Sequence, residues 1–234
     1  MNNKRLYIFF IIIAIFVASW FVPITRSIWD YIDRNVFLSL NGSLVGHVGM
    51  QKFFAWLNSR YADWMFEGIA VGVYLAHCII KGEVSRRQRL QQLLFLLLYI
   101  AAIQVFVNKT LCLKILRLSR QSPSLVLPVS VDLSIFPYLN NKVFSYNSFP
   151  ADHATSLFIV SFFSWSHFRR PVAIVSTILY TFLAVPRLVS GAHWFSDVFF
   201  GGFCFAAIAW ILVMSIPSCR RLSHSAAEKK HMNI

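Results

Sequence analysis

The sequence predicts an all-α, polytopic membrane protein of six transmembrane helices, with both termini in the cytoplasm. Three observations predict it. The 234-residue chain is 57% hydrophobic and only 13% charged, against about 25% charged residues in soluble domains. Charge-free apolar runs recur along it at lengths that match a bilayer. The basic residues gather in short turns between those runs, the pattern of cytoplasmic loops. No internal repeat or linker divides the chain, so residues 1–234 read as one membrane-embedded domain.

The first span covers residues 6–25, which follow a short basic start. A cleaved signal peptide shares that basic flank, but the run is long and lacks a small-residue cleavage pattern, which favours a retained helix. Residues 27–61 mix Trp29, Phe37, Phe53, Phe54 and Trp56 with Asp30, Asp33, Arg34 and Lys52. They read as amphipathic structure lying at the interface. The second span, 64–80, carries Glu67 near one end, and an acid in a span is a functional hypothesis. Lys81, Arg86, Arg87 and Arg89 then make a basic turn before the third span, 90–108.

Residues 109–147 form a long polar excursion, where Pro123, Pro128, Pro137 and the Asn140–Asn141 pair argue against continuous helix. The fourth span, 149–168, is followed at once by Arg169, Arg170 and Pro171. The fifth and sixth are 171–189 and 198–216, and a basic tail with Arg220, Arg221, Lys229 and Lys230 closes the chain. With the basic turns cytoplasmic, residues 27–61, 109–147 and 186–197 share the opposite face.

The net charge of +13 would suggest nucleic acid in a soluble protein. Beside apolar spans it is explained by membrane lipids and topology, so no nucleic-acid partner is expected. The cysteines, Cys78, Cys112, Cys204 and Cys219, have no metal-ligand spacing, so neither a disulfide, a metal site nor a cofactor is expected.

Residues 186–197 carry the chemistry. Arg187, His193 and Asp197 keep the spacing Arg-x5-His-x3-Asp, which this composition would produce by chance about 0.01 times per chain. His153 opens the fourth span and so lies at the same depth and on the same side as His193, together with Arg120 and Lys114. A transferred phosphoryl group spreads charge over three oxygens, and the planar fork of Arg binds two of them at once. A neutral imidazole at His193 can attack, with Asp197 holding its other nitrogen. A protonated His153 can supply the leaving oxygen with its proton. Trp194 and Phe195 read as aromatic-belt anchors. His47 and His167 read as structural or solvent-facing, and His224 and His231 fall on the wrong side.

Arg187-x5-His193-x3-Asp197 resembles the third motif of the type 2 phosphatidic acid phosphatase (PAP2) superfamily, integral-membrane lipid phosphatases with a six-helix core. Pro150-Ala151-Asp152-His153 resembles its second motif, normally Pro-Ser-Gly-His. The neighbourhood of Arg120 resembles the first, normally Lys-x6-Arg-Pro. Here Leu113 stands where that Lys would be, with Lys114 beside it, and Gln121 replaces the Pro. The resemblance implies that His193 forms a phosphohistidine, that Asp197 orients it and that His153 is the general acid. It also implies that Arg187, Arg120 and Lys114 bind phosphate.

Ser-Phe-Pro-x-Asp-His at 148–153, Gly-Ala-His-Trp-Phe-x-Asp at 191–197 and Ser-Trp-x-x-Pro at 19–23 look like the lipid A phosphotransferase branch. That likeness implies transfer of a phosphate from undecaprenyl diphosphate to the 1-phosphate of lipid A, on the periplasmic face of the bacterial inner membrane. Another lipid phosphate could be the acceptor. The rival reading is an undecaprenyl diphosphate or phospholipid phosphatase that uses water as acceptor. A third is a non-enzymatic lipid-binding or structural membrane protein in which the motif is a relic.

Overall fold

The computed structural model describes residues 3–79, 85–168 and 170–216. The tail with Cys219, His224 and His231, most of the turn after residue 79, and Arg169 lie outside the described residues, as do the side chains of Glu67, Cys78 and His167.

Helix α1 (Asn3–Phe21) ends earlier than the expected first span. Val22 is extended and Pro23 opens α2 (Pro23–Gly42), so the pair bends by 88°. Proline suits a first helical turn, where its missing N–H costs nothing. Ser19 fastens the corner: its hydroxyl accepts from Trp29 Nε1 at 3.1 Å, and its carbonyl accepts from the Thr25 hydroxyl. The Arg26 guanidinium lies 4.2 Å from the Trp20 ring centroid. The Ser-Trp-x-x-Pro sequence is thus the corner that turns the chain back over the protein.

α2 is amphipathic, but its inner face is buried in the protein itself. Asp33, Phe37 and Asn41 are covered, while Ile24, Ile28 and Tyr31 stay exposed. Asn41 Nδ2 donates to the Val131 and Val189 carbonyls, and its Oδ1 accepts from the Val131 N–H. Short α3 (Val48–Leu57) and α4 (Arg60–Ile79) follow.

α5 (Arg86–Ala102) continues without a break through a π-wound stretch, Ile103–Ile115. The helix therefore outruns the expected third span, and Lys109 and Lys114 belong to it, not to the polar excursion. That excursion contains α6 (Pro123–Val126) and two single turns, Leu133–Ile135 and Pro137–Leu139. α7 (Asp152–His167) and α8 (Arg170–Val189) match the fourth and fifth expected spans closely. A second π-wound stretch, Asp197–Cys204, leads into α9 (Phe205–Ser215).

Among the described residues, three helices are long and apolar enough to cross a membrane: Arg86–Ile115, Arg170–Val189 and Asp197–Ser215. The bent α1–α2 pair makes a fourth if it is one span. α4 and α7 stand where the second and fourth spans were expected. The first carries Arg60 and Asp63 in its opening turn, and the second has 16 residues.

The main core joins α1, α5, α7, the second π-wound stretch and α9 through Trp20, Leu93, Phe163, Phe200 and Trp210. Glycine permits its closest approach. A Cβ on Gly201 would lie 2.7 Å from both Cα and Cβ of Pro150. This packing sets the start of α7 against the segment that follows His193.

Candidate active site

The turn after α8 builds the first half of the site. Gly191 has φ +76°, and a side chain there would meet the Phe37 ring at 2.7 Å, so glycine is required on both counts. The chain then wraps over the helix end: the N–H groups of Ala192 and His193 donate to the Arg187 carbonyl at 3.0 and 3.2 Å. His153 comes from the first turn of α7, where the Asp152 carboxylate accepts from the His153 N–H at 2.7 Å.

His153, His193 and Arg187 line one cavity of about 620 Å³. Residues 40 apart in sequence thus share one cavity. His193 Nδ1 lies 2.7 Å from the Ser148 carbonyl, which can only accept, so Nδ1 carries the proton. The Nε2 lone pair is then left free, and Nε2 has no hydrogen-bond partner among the described residues. Burial lowers the His193 pKa from its ordinary value; Asp197 and Asp152 oppose the shift, and Arg187 adds to it. The ring is held in the form that attack needs.

Asp197 does not make the expected hydrogen bond to that ring. Its Oδ2 stands 4.0 Å from Nδ1 and accepts from the Trp194 N–H at 2.9 Å. The carboxylate is wholly buried, so it acts on His193 through its charge while Ser148 sets the tautomer.

Arg120 is not brought to the cavity wall. Its guanidinium donates to Asp33 Oδ2 (2.7 Å), Asp30 Oδ1 (3.2 Å), Asp197 Oδ1 (3.2 Å) and the Ser196 hydroxyl (2.8 Å). It also lies 4.5 Å from the centroid of the Trp194 ring. With three carboxylates around it, this cation is neutralised behind the site. Its backbone carbonyl meanwhile accepts from the N–H and hydroxyl of Ser148. Arg120 thus holds both groups that flank the His193 ring. Lys114 is exposed and absent from the cavity wall, whereas Lys109, one turn earlier in the π-wound stretch, lines it.

Trp194 is buried, with Nε1 donating to the Gln121 carbonyl at 2.7 Å. It supports Arg120 and is not a belt anchor. Phe195 is half-buried and stacks on Phe199.

Arg187 meets partners that the sequence reading missed. Its Nη1 donates to the Asn58 carbonyl (2.9 Å) and to Asn58 Oδ1 (2.7 Å), and its Nη2 to Asp63 Oδ2 (2.5 Å). The other oxygen of Asp63 lies 3.6 Å from His153 Nε2. One carboxylate from α4 therefore links the candidate phosphate-binding arginine to the candidate acid. A signal for it existed: acids are scarce in so basic a chain, and Asp30, Asp33 and Asp63 all fall on the face assigned to the site.

Among the described residues, no group of His, Cys, Asp and Glu has an arrangement that could hold a metal ion. Cys112 and Cys204 are free and buried.

The family model of the PAP2 superfamily matches residues 92–221, more than half of the chain, including His153, Arg187, His193 and Asp197. The chain belongs to the PAP2 superfamily. Within it, the chain is 28% identical over 213 residues to the lipid A 1-diphosphate synthase of Escherichia coli (strain K12), covering 90% of this chain and 86% of that one. The crystal structure of a transmembrane PAP2-type phosphatidylglycerolphosphate phosphatase from Bacillus subtilis shares the fold. Its TM-score is 0.51 at 18% identity, over 92% of this chain and 94% of that one. The PAP2 match begins within α5, so Asn58, Asp63, Asp30 and Asp33 all lie before it.

Proposed function

We propose that the protein is a membrane phosphotransferase that moves a phosphate from undecaprenyl diphosphate to the 1-phosphate of lipid A. The reaction runs through a phosphohistidine on His193, on the periplasmic face of the inner membrane, with six spans and both termini in the cytoplasm. The observation that carries the chemistry is the His193 ring: Nδ1 bound to the Ser148 carbonyl and Nε2 open on a cavity shared with His153 and Arg187. The likeness to lipid A 1-diphosphate synthase over 90% of the chain supports the choice of donor and acceptor.

In this scheme Nε2 attacks the terminal phosphorus and Arg187 faces the transferred group. Asp197 stabilises the cationic ring through its buried charge. His153, with Asp63 3.6 Å from its Nε2, supplies a proton where the leaving oxygen requires one. Arg120 positions Ser148 and Asp197 and binds no phosphate directly.

Mass spectrometry of lipid A from cells with and without the protein tests the reading. An added phosphate that requires both the protein and His193 is the expected result. Lipid A unchanged by the protein, with free phosphate released from undecaprenyl diphosphate, would make water the acceptor.

A further inference from the structure

Both motif arginines are already neutralised, Arg187 by Asp63 and Arg120 by Asp30, Asp33 and Asp197. Three other cations on the cavity wall are not. Arg60, Lys109 and Lys142 line the same cavity as His153, Arg187 and His193. All three are exposed, and among the described residues none forms an ion pair.

They reach the cavity from three elements: the first residue of α4, the π-wound end of α5, and the segment before α7. Two of them are fastened side by side. Ser59 and Asn141 form an antiparallel bridge, with the Arg60 N–H donating to the Asn140 carbonyl and the Lys142 N–H to the Asn58 carbonyl, both at 3.4 Å. Asn58 Nδ2 adds a bond to the Lys142 carbonyl at 2.8 Å. The same Asn58 grips Arg187. Residues 58 and 63 therefore hold Arg187, and Arg60 stands between them on the wall. Asp63 and Asp152 share the wall with Arg60, Lys109, Lys142 and Arg187, so cations exceed carboxylates there, and a bound dianion answers that excess.

We propose that Arg60, Lys109 and Lys142 form a second phosphate subsite beside His193, which takes the lipid phosphate that is not attached to the histidine. The proposal rests on the phosphotransferase reading above. In the first half-reaction the Nε2–P bond forms and the bond from phosphorus to the bridging oxygen breaks. The electron pair leaves on that oxygen, which becomes part of a lipid monophosphate dianion. In the second, an oxygen of the acceptor phosphate attacks the same phosphorus, the new P–O bond forms and the N–P bond breaks, returning its pair to Nε2. The departing and the attacking oxygens both belong to lipid monophosphates. One set of cations can therefore serve both half-reactions, and a water acceptor has no use for it in the second.

Titration calorimetry of the purified full chain in detergent, with inorganic phosphate and with inorganic pyrophosphate, tests the subsite. Pyrophosphate is expected to bind about tenfold or more tightly than phosphate, and Lys109→Gln with Lys142→Gln to remove that advantage. Arg60→Gln alone should reduce it in the same direction. Equal affinities in the unsubstituted protein, or substituted proteins that keep the full pyrophosphate advantage, would overturn the proposal. Rapid-quench measurements separate the two sources of phosphate. The doubly substituted protein should be slowed both in loading from undecaprenyl diphosphate and in discharge to lipid A. Slowing of one half-reaction alone, or of neither, would overturn a shared subsite. Failure of the phosphotransferase reading has a different signature: the unsubstituted protein would release only free phosphate while still preferring pyrophosphate.

Discussion

Asp63 and Arg187 are joined end to end, with Nη2 donating to Oδ2 at 2.5 Å, and the free oxygen of the same carboxylate faces His153 Nε2 at 3.6 Å. A phosphate entering between Arg187 and His153 meets a guanidinium whose fork already carries one carboxylate. Asp63 therefore competes with the substrate for the arginine while placing a negative charge beside the histidine. Asp63→Asn keeps the shape and removes the charge. On a phosphomonoester, whose leaving oxygen needs the proton, we expect kcat to fall about tenfold or more, since a positioned acid is worth roughly 10²–10⁴ in rate, with KM unchanged or lower. Steady-state kinetics on that substrate check this, and a raised KM at full kcat would contradict it.

Arg120 is expected to matter for folding before it matters for substrate. Removing it by Arg120→Ala leaves Asp33 and Asp197, both 0% exposed, without their cation. Breaking a buried pair from one side costs about 3–5 kcal/mol. Thermal unfolding in detergent should show a lower Tm, with Arg120→Lys between the two because an ammonium cannot span several carboxylates in one plane. An Arg120→Ala protein with an unchanged Tm and only a raised KM would return Arg120 to the phosphate.

Much of this was legible in the chain and some was not, for reasons that differ by residue. Arg187, His193 and Asp197 lie at the end of α8, in the turn after it and at the start of the next helix, so their spacing survives as a local pattern. The apolar runs placed α5, α7, α8 and α9 because a span is local too. The partner of His193, by contrast, is the Ser148 backbone carbonyl, and no side chain announces a carbonyl. Asp33 and Arg120 are 87 residues apart, and nothing in either neighbourhood points to the other. The expected first span runs past Pro23 because composition alone does not register a corner, and motif spacing points to Lys114 while the π-wound helix puts Lys109 on the cavity wall.

The two histidines should respond differently to the leaving group. A lipid phosphate leaves from a diphosphate as a species with a pKa near 6, so it needs neutralising charge more than a proton. An alkoxide leaving from a phosphomonoester needs the proton. His153→Ala is expected to cost about 100-fold or more on a phosphomonoester but about tenfold or less on undecaprenyl diphosphate. His193→Ala should abolish both. Equal losses from His153→Ala on the two substrates would show that protonation governs both.

The depressed pKa of His193 fixes the sign of one pH effect. Its folded value lies below the ordinary 6.5, so the unfolded chain binds more protons in the window just below 6.5, and stability there falls as pH falls. In activity, the acid limb of kcat/KM, which reports the free enzyme, should lie below pH 6.5, with the nucleophile still neutral above it. A pH–rate profile with chemistry limiting checks this. An acid limb above 6.5 would mean that burial does not control the ring.

Transfer is tested most directly by following the phosphate itself. Purified protein is given undecaprenyl diphosphate labelled in its terminal phosphate, with and without lipid A. The label is expected to pass through an acid-labile, base-stable protein adduct lost in His193→Ala, and to arrive on lipid A as a 1-diphosphate. Label released as free phosphate at the same rate with and without lipid A, and none on the acceptor, would contradict it.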